Sequence, residues 1–165
     1  MIQQVRSLLF LKPGQMMVSS VPTLVTTVLG SCVAVTLFCP RTRFGGICHA
    51  QLPSCDNPVD CSHEHPARGK YVECAIMMML EALNAHGVKR HELQAKVFGG
   101  SDMFEGNLKR RGVGSQNAEM ALKVLEREAV RVVCQDLGGE RGRKIIFHTD
   151  TGEVLLKRLG KSGDS

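Results

Sequence analysis

Tryptophan is absent from this 165-residue chain, tyrosine occurs once and aromatic residues total 4%. The core must therefore be built from Val, Leu, Ile, Met and Ala rather than from large rings. Few aromatics also weigh against a surface that stacks single-stranded bases. The net charge is +5, but the Lys and Arg residues are scattered. Their one cluster, Lys109-Arg110-Arg111, reads as a solvated loop before it reads as a nucleic-acid footprint. An acidic protein surface is the second reading of that charge. No apolar run approaches the roughly 18 residues of a membrane-spanning helix, so direct membrane insertion is not expected. The opening stretch, MIQQVRSLLFLKPGQ, has a single Arg and no small-residue cleavage site, and makes a poor signal peptide. These absences point to a cytoplasmic protein whose thiols are free.

What is present is ordinary globular material: 43% hydrophobic and 22% charged residues, at a length that suits one domain spanning residues 1–165. The tail from about residue 160 is expected to fray. Seven cysteines is many. Their number is odd and their spacing shows no disulfide framework. Cys39, Cys48, Cys74 and Cys134 read as small buried hydrophobes.

Strand signals dominate the first third. Residues 15–20, 23–29, 32–38 and 47–52 are short β-rich runs separated by Pro22, Gly30-Ser31, Cys39-Pro40 and Gly45-Gly46. Short connections predict antiparallel pairing. A polar loop, residues 54–67, precedes a helix in which Val72, Ala75, Ile76, Met79, Leu80 and Leu83 form one apolar stripe. Gly87 stops it. Residues 94–98 form a strand ending in Gly99-Gly100, and residues 101–114 a loop. Asn117 is expected to cap a second helix carrying Ala118, Ala121, Leu122, Leu125 and Ala129 on one face. Residues 130–136 form a strand ending in Gly138-Gly139. Two runs, KIIFHT and EVLLKRL, flank Asp150-Thr151-Gly152 as a hairpin. Without a βαβ alternation over the whole chain, the fold class is α+β and layered.

The chemistry concentrates between Thr26 and His49. Cys32 follows a Gly-Ser turn, and His49 lies 17 residues further on across a hairpin. A thiol attacks as the thiolate, so it needs a base. Imidazole can take the proton and later return it to a leaving nitrogen. A third group must hold the other ring nitrogen, a task open to a Thr hydroxyl or a carbonyl as well as to a carboxylate. Gly30 allows a tight turn whose N–H groups can face an oxyanion. On residue chemistry alone, two structural residues would be the commoner explanation of such a pair.

Leu29-Gly30-Ser31-Cys32-Val33, followed by Gly45-Gly46-Ile47-Cys48-His49 and Leu52-Pro53, resembles the signature of the chemoreceptor glutamine deamidase family, CheD. The likeness continues through PGQMMVSS, Lys96-Val97-Phe98-Gly99-Gly100 with Met103, and Val113-Gly114 with Asn117. It ends in Asp136-Leu137-Gly138-Gly139 with Gly142-Arg143 and the closing hairpin. The resemblance implies a three-layer α/β/β sandwich with two main helices. It implies Cys32 as nucleophile, His49 as general acid/base and Thr26 as the residue that orients His49. Spacing to the cysteine selects Thr26 over the adjacent Thr27. The implied reaction is hydrolysis of glutamine side-chain amides on methyl-accepting chemoreceptor cytoplasmic helices, with no metal and no organic cofactor. The family also implies a second partner, a CheC-type phosphatase, and hence an alternative role as a mainly non-catalytic activator.

Two further rivals stand on residues. Cys55, Cys61, His63 and His65 are zinc-competent, but their spacing is not a familiar zinc pattern. A thiol–imidazole pair can also cleave peptide bonds; a receptor's helical backbone, locked in its own hydrogen bonds, makes side-chain amides the easier target. Asp136 and Arg143 are expected to form a structural ion pair. Gly99-Gly100 and Gly138-Gly139 are expected to be turns at strand ends.

Overall fold

The computed structural model describes residues 7–56, 66–102 and 112–160. Nine strands and two α-helices follow in chain order: β1 Ser7–Phe10, β2 Met16–Ser19, β3 Thr23–Leu29, β4 Val33–Phe38, β5 Gly45–Ala50, α1 Val72–Ala85, β6 Gln94–Gly99, α2 Val113–Arg127, β7 Arg131–Leu137, β8 Arg143–His148 and β9 Val154–Arg158. Lys109-Arg110-Arg111, Cys61, His63, His65, Met103 and the tail from residue 161 lie outside the described residues.

The strands form two sheets, one of five ordered β2-β5-β4-β6-β7 and one of four ordered β1-β3-β8-β9. Both helices pack on the five-stranded sheet through Val33, Val35, Leu37, Cys48 and Ala50 below and Val72, Ile76, Met79, Leu83, Ala121 and Leu125 above. The other face of that sheet meets the four-stranded sheet through Ala34, Ile47 and Phe98 against Val25, Leu29, Ile145 and Phe147. This is the expected three-layer α/β/β arrangement. The middle sheet is covered on both faces, which is why every residue of β4 and β5 is buried and neither reads as an alternating strand.

The stripe expected on α1 is the buried one: Val72, Ala75, Ile76, Met79, Leu80 and Leu83. The chain leaves the helix through Gly87 at φ 79°, a left-handed position that suits glycine. The closing hairpin pairs β8 with β9 as expected.

Three expectations are corrected. The pairing is not antiparallel throughout, since β1 runs parallel to β3; the chain crosses through β2 in the other sheet before returning, so a short connection does not make a hairpin. The second helix starts at Val113, ahead of Asn117, and Asn117 is buried within it. The end of this helix is supported from another loop: the Ser115 amide donates to Asp102 Oδ1 at 3.2 Å. Ala129 lies beyond the helix with φ 56° and is exposed.

Cysteine placement divides likewise. Cys39 and Cys48 are buried free thiols, Cys74 is half-buried and Cys134 is exposed, because β7 is a sheet edge. Cys55 is disulfide-bonded, against the expectation of free thiols; its partner lies outside the described residues.

Candidate active site

The site forms where the chain passes from one sheet to the other. β3 belongs to the four-stranded sheet and β4 to the five-stranded one, and Gly30-Ser31 make the crossing. Cys32 stands at the entrance to β4. In the β4–β5 register Ala34 lies opposite His49. Alternation along the strand puts Cys32 on the same face as Ala34, and Cys32 packs against the inter-sheet cluster with it. Cys32 and His49 thus share the face of the middle sheet that looks at the outer sheet. Cys48, next to His49, points the other way into the helix-side core, where burial pushes its thiol up to about 12. It is a packing residue, as expected.

The loop after β6 clamps the turn that carries Cys32. The Gly100 amide donates to the Cys32 carbonyl at 2.9 Å, and the Ser101 amide to the Gly30 carbonyl at 3.0 Å. Gly99 has φ 104°, and a Cβ there would overlap the Cys32 carbonyl oxygen. Gly99-Gly100 is a turn at a strand end, as expected, and its lack of side chains lets it close on the Gly30-Ser31-Cys32 turn. Arg143 secures the same loop from below. Its guanidinium donates to the Gly99 carbonyl at 3.2 Å, to Ser101 Oγ at 3.0 Å and to the Gly138 carbonyl at 2.7 Å. It also pairs with Asp136 at 2.6 Å, the ion pair anticipated from sequence.

His49 is 2% exposed. Its Nδ1 lies 2.7 Å from Thr27 Oγ1, and the same hydroxyl donates to the Leu11 carbonyl at 2.8 Å. One hydroxyl proton can serve one acceptor, and Leu11 offers only lone pairs. Thr27 must then accept from Nδ1–H. This fixes the tautomer and leaves Nε2 with a free lone pair. Nε2 is buried and has no partner among the described residues.

Thr26 does not reach His49. Its hydroxyl donates to the Ile145 carbonyl at 3.1 Å. The reason is the pleat: Val25, Thr27 and Leu29 are buried on the inner face of β3, while Leu24, Thr26 and Val28 face outward. A one-residue shift in a strand moves a side chain to the opposite face. The structure therefore joins His49 to Thr27, sets Cys32 on the same face of the middle sheet, and excludes Thr26 from the group.

Burial sets the charge state. Desolvation lowers His49 to about 4. Desolvation also raises the Cys32 thiol, partly offset by a hydrogen bond from its own backbone N–H. Both shifts favour a neutral thiol beside a neutral imidazole over an ion pair. A stability consequence follows with a definite sign. In the unfolded chain His49 takes up a proton below its ordinary value of about 6.5; in the folded protein it resists until about 4. Between those values the unfolded state binds more protons, so stability falls as pH falls through the window, by up to about 3 kcal/mol. His49→Gln should lose less stability between pH 7.5 and pH 4.5 than the wild type, measured as paired urea unfolding curves. Parallel pH dependences would contradict a buried neutral His49.

The expected alternative, a metal at Cys55, Cys61, His63 and His65, falls mostly outside the described residues; Cys55 itself is committed to a disulfide. Among the described residues no cluster of His, Cys, Asp and Glu is arranged to hold a metal ion, and no helix is long and apolar enough to cross a membrane.

Known proteins resemble this chain over most of its length. A family model described as CheD chemotactic sensory transduction matches residues 52–158. A relative named probable chemoreceptor glutamine deamidase CheD 2, from Geobacter sulfurreducens, is 48% identical over 153 residues, covering 93% of this chain and 91% of the relative. One from Maridesulfovibrio salexigens, named probable chemoreceptor glutamine deamidase CheD, is 40% identical over 156 residues and 92% of each chain. One of the same name from Archaeoglobus fulgidus is 35% identical over 145 residues, 87% of this chain and 88% of the relative.

Proposed function

The chain belongs to the CheD family, and on that premise we propose that it is a protein-glutamine glutaminase that deamidates chemoreceptor glutamines with Cys32 as nucleophile. The observation that carries the chemistry is the relay from Leu11 through Thr27 to His49, which leaves Nε2 of His49 as a base on the face it shares with Cys32.

In this mechanism His49 Nε2 removes the Cys32 proton as sulfur adds to the side-chain carboxamide carbon. The C–S bond forms and the carbonyl π pair moves to oxygen. When that pair returns, the C–N bond breaks and His49 delivers its proton to nitrogen, releasing ammonia. Water then adds to the thioester carbon, losing a proton to His49. The C–S bond breaks, sulfur regains the proton, and glutamate remains. Thr27 holds the imidazole through both halves. The substrate is taken to be the cytoplasmic helices of methyl-accepting receptors, which places the protein in the cytoplasm. A helical backbone keeps its own amides hydrogen-bonded and presents its glutamine side chains outward.

The test is ammonia release from a purified receptor cytoplasmic fragment, with mass spectrometry of its peptides. A gain of about one mass unit at individual glutamines, matched by equimolar ammonia, is the expected result. No gain on any receptor fragment, together with tight binding to a CheC-type phosphatase, would replace this reading with the adaptor role.

A further inference from the structure

Asn117 is fully buried on α2, in the layer opposite the catalytic face. Its side-chain amide donates both protons into the site's scaffold, to the Ser31 carbonyl at 2.9 Å and to the Gln51 carbonyl at 3.0 Å. Two carbonyl neighbours require donors, so the NH₂ group must face them. Ser31 immediately precedes the nucleophile, and Gln51 follows His49 by two residues. One side chain thus ties the strand that carries the thiol to the strand that carries the base.

The Ser31 contact has a directional consequence. A trans peptide points its C=O and its N–H to opposite sides, and no peptide among the described residues is cis. Holding the Ser31 carbonyl toward α2 therefore turns the Cys32 N–H away from α2, toward the face where the thiol lies. The peptide on the other side of Cys32 is fixed independently, by the Gly100 amide on the Cys32 carbonyl at 2.9 Å. Both peptide planes around the nucleophile are held, and the one that carries the Cys32 N–H is held by Asn117.

We infer that Asn117 is a positioning residue for the tetrahedral step: by gripping the Ser31 carbonyl it aims the Cys32 backbone N–H at the oxygen that becomes negative when Cys32 adds to the amide. The N–H is the catalytic donor, since it touches the reacting oxygen, and Asn117 acts through it. A preorganised donor of this kind acts on the transition state and hardly on the ground-state complex.

The inference rests on Cys32 being the nucleophile, and the test separates the two. Asn117→Ser and Asn117→Asp are compared with wild type for deamidation of the receptor fragment and for alkylation of Cys32 by iodoacetamide, followed on the Cys32 peptide. Alkylation needs the thiol and its base but generates no oxyanion. The expected result is a fall in kcat of about 10- to 100-fold with KM and Cys32 alkylation near wild type. An unchanged kcat, or alkylation falling in step with kcat, would overturn it; the latter would mean that Asn117 merely holds Cys32 near His49. Ammonia release surviving in Cys32→Ala would instead be a failure of the functional reading. Should the Asn117 variants not fold, the wild type decides. A receptor peptide carrying an aldehyde in place of the carboxamide adds Cys32 to give a thiohemiacetal, and the Cys32 amide proton should move downfield in a ¹⁵N-edited spectrum. An unmoved Cys32 amide with the adduct formed would overturn the inference.

Discussion

Replacing Cys32 with alanine should lower ammonia release from receptor fragments by about 10⁴-fold or more while leaving the fold in place. Cys32 is half-buried at the margin of the inter-sheet cluster, so losing its sulfur opens no deep cavity. The unfolding midpoint should stay close to that of wild type, which separates a chemical loss from a structural one. Serine at the same position is expected to be as inactive as alanine. Burial has already weakened His49 as a base, to about 4, and a hydroxyl is far harder to deprotonate than a thiol. A serine variant with substantial activity would mean that His49 is not the base.

The second large effect lies at Thr27. Thr27→Val removes the acceptor for the Nδ1 proton of His49 and the donor to the Leu11 carbonyl in one step. Deamidation should fall by about 10²-fold, at the lower end of what acid–base catalysis supplies, because a hydroxyl orients the ring less strongly than a carboxylate would. Thr27→Ser keeps the hydroxyl and should restore most of the rate. Thr26→Val is the matched control: it deletes only the hydrogen bond to Ile145 across the outer sheet and should act at close to the wild-type rate. The stability cost of Thr27→Val is about 1–3 kcal/mol, from leaving a buried partner unpaired, so rates belong at a temperature where all three variants are folded. A Thr26→Val enzyme more impaired than Thr27→Val would invert the assignment.

The threonine pair shows how far the residues alone could carry the site. Cys32 and His49 stand out in the sequence because each sits beside glycine turns in a recognisable run. Distance along the chain from Cys32 points to Thr26 as the third residue, a measure that fails where Gly30-Ser31 carry the chain between two sheets. A usable signal was present: Val25 and Leu29 bracket Thr27 at the two-residue period of one strand face. Leu24 and Val28 obscured it by making the outer face apolar as well. Helix α1 was read correctly because its stripe is a local property. The start of α2 was missed because a Gly-rich stretch argues against a helix, and what supports that end is Asp102, a residue in another loop. Asn117 passed for a cap because asparagine favours caps. Its part in holding the Ser31 and Gln51 carbonyls arises only once strands far apart in sequence are side by side.

The bond between Thr27 and His49 spans two sheets, since one partner lies on β3 and the other on β5. It works as a spacer gauge. Whatever enlarges a side chain in the layer between the sheets must widen the gap that this bond measures, and Ala34, directly opposite His49, is where the tolerance is smallest. Substitutions accumulating over time should therefore be sparing among Val25, Ala34 and Phe147, the side chains that fill this layer. Of the two cores, the one between the sheets is also the one that keeps the Thr27–His49 ruler true.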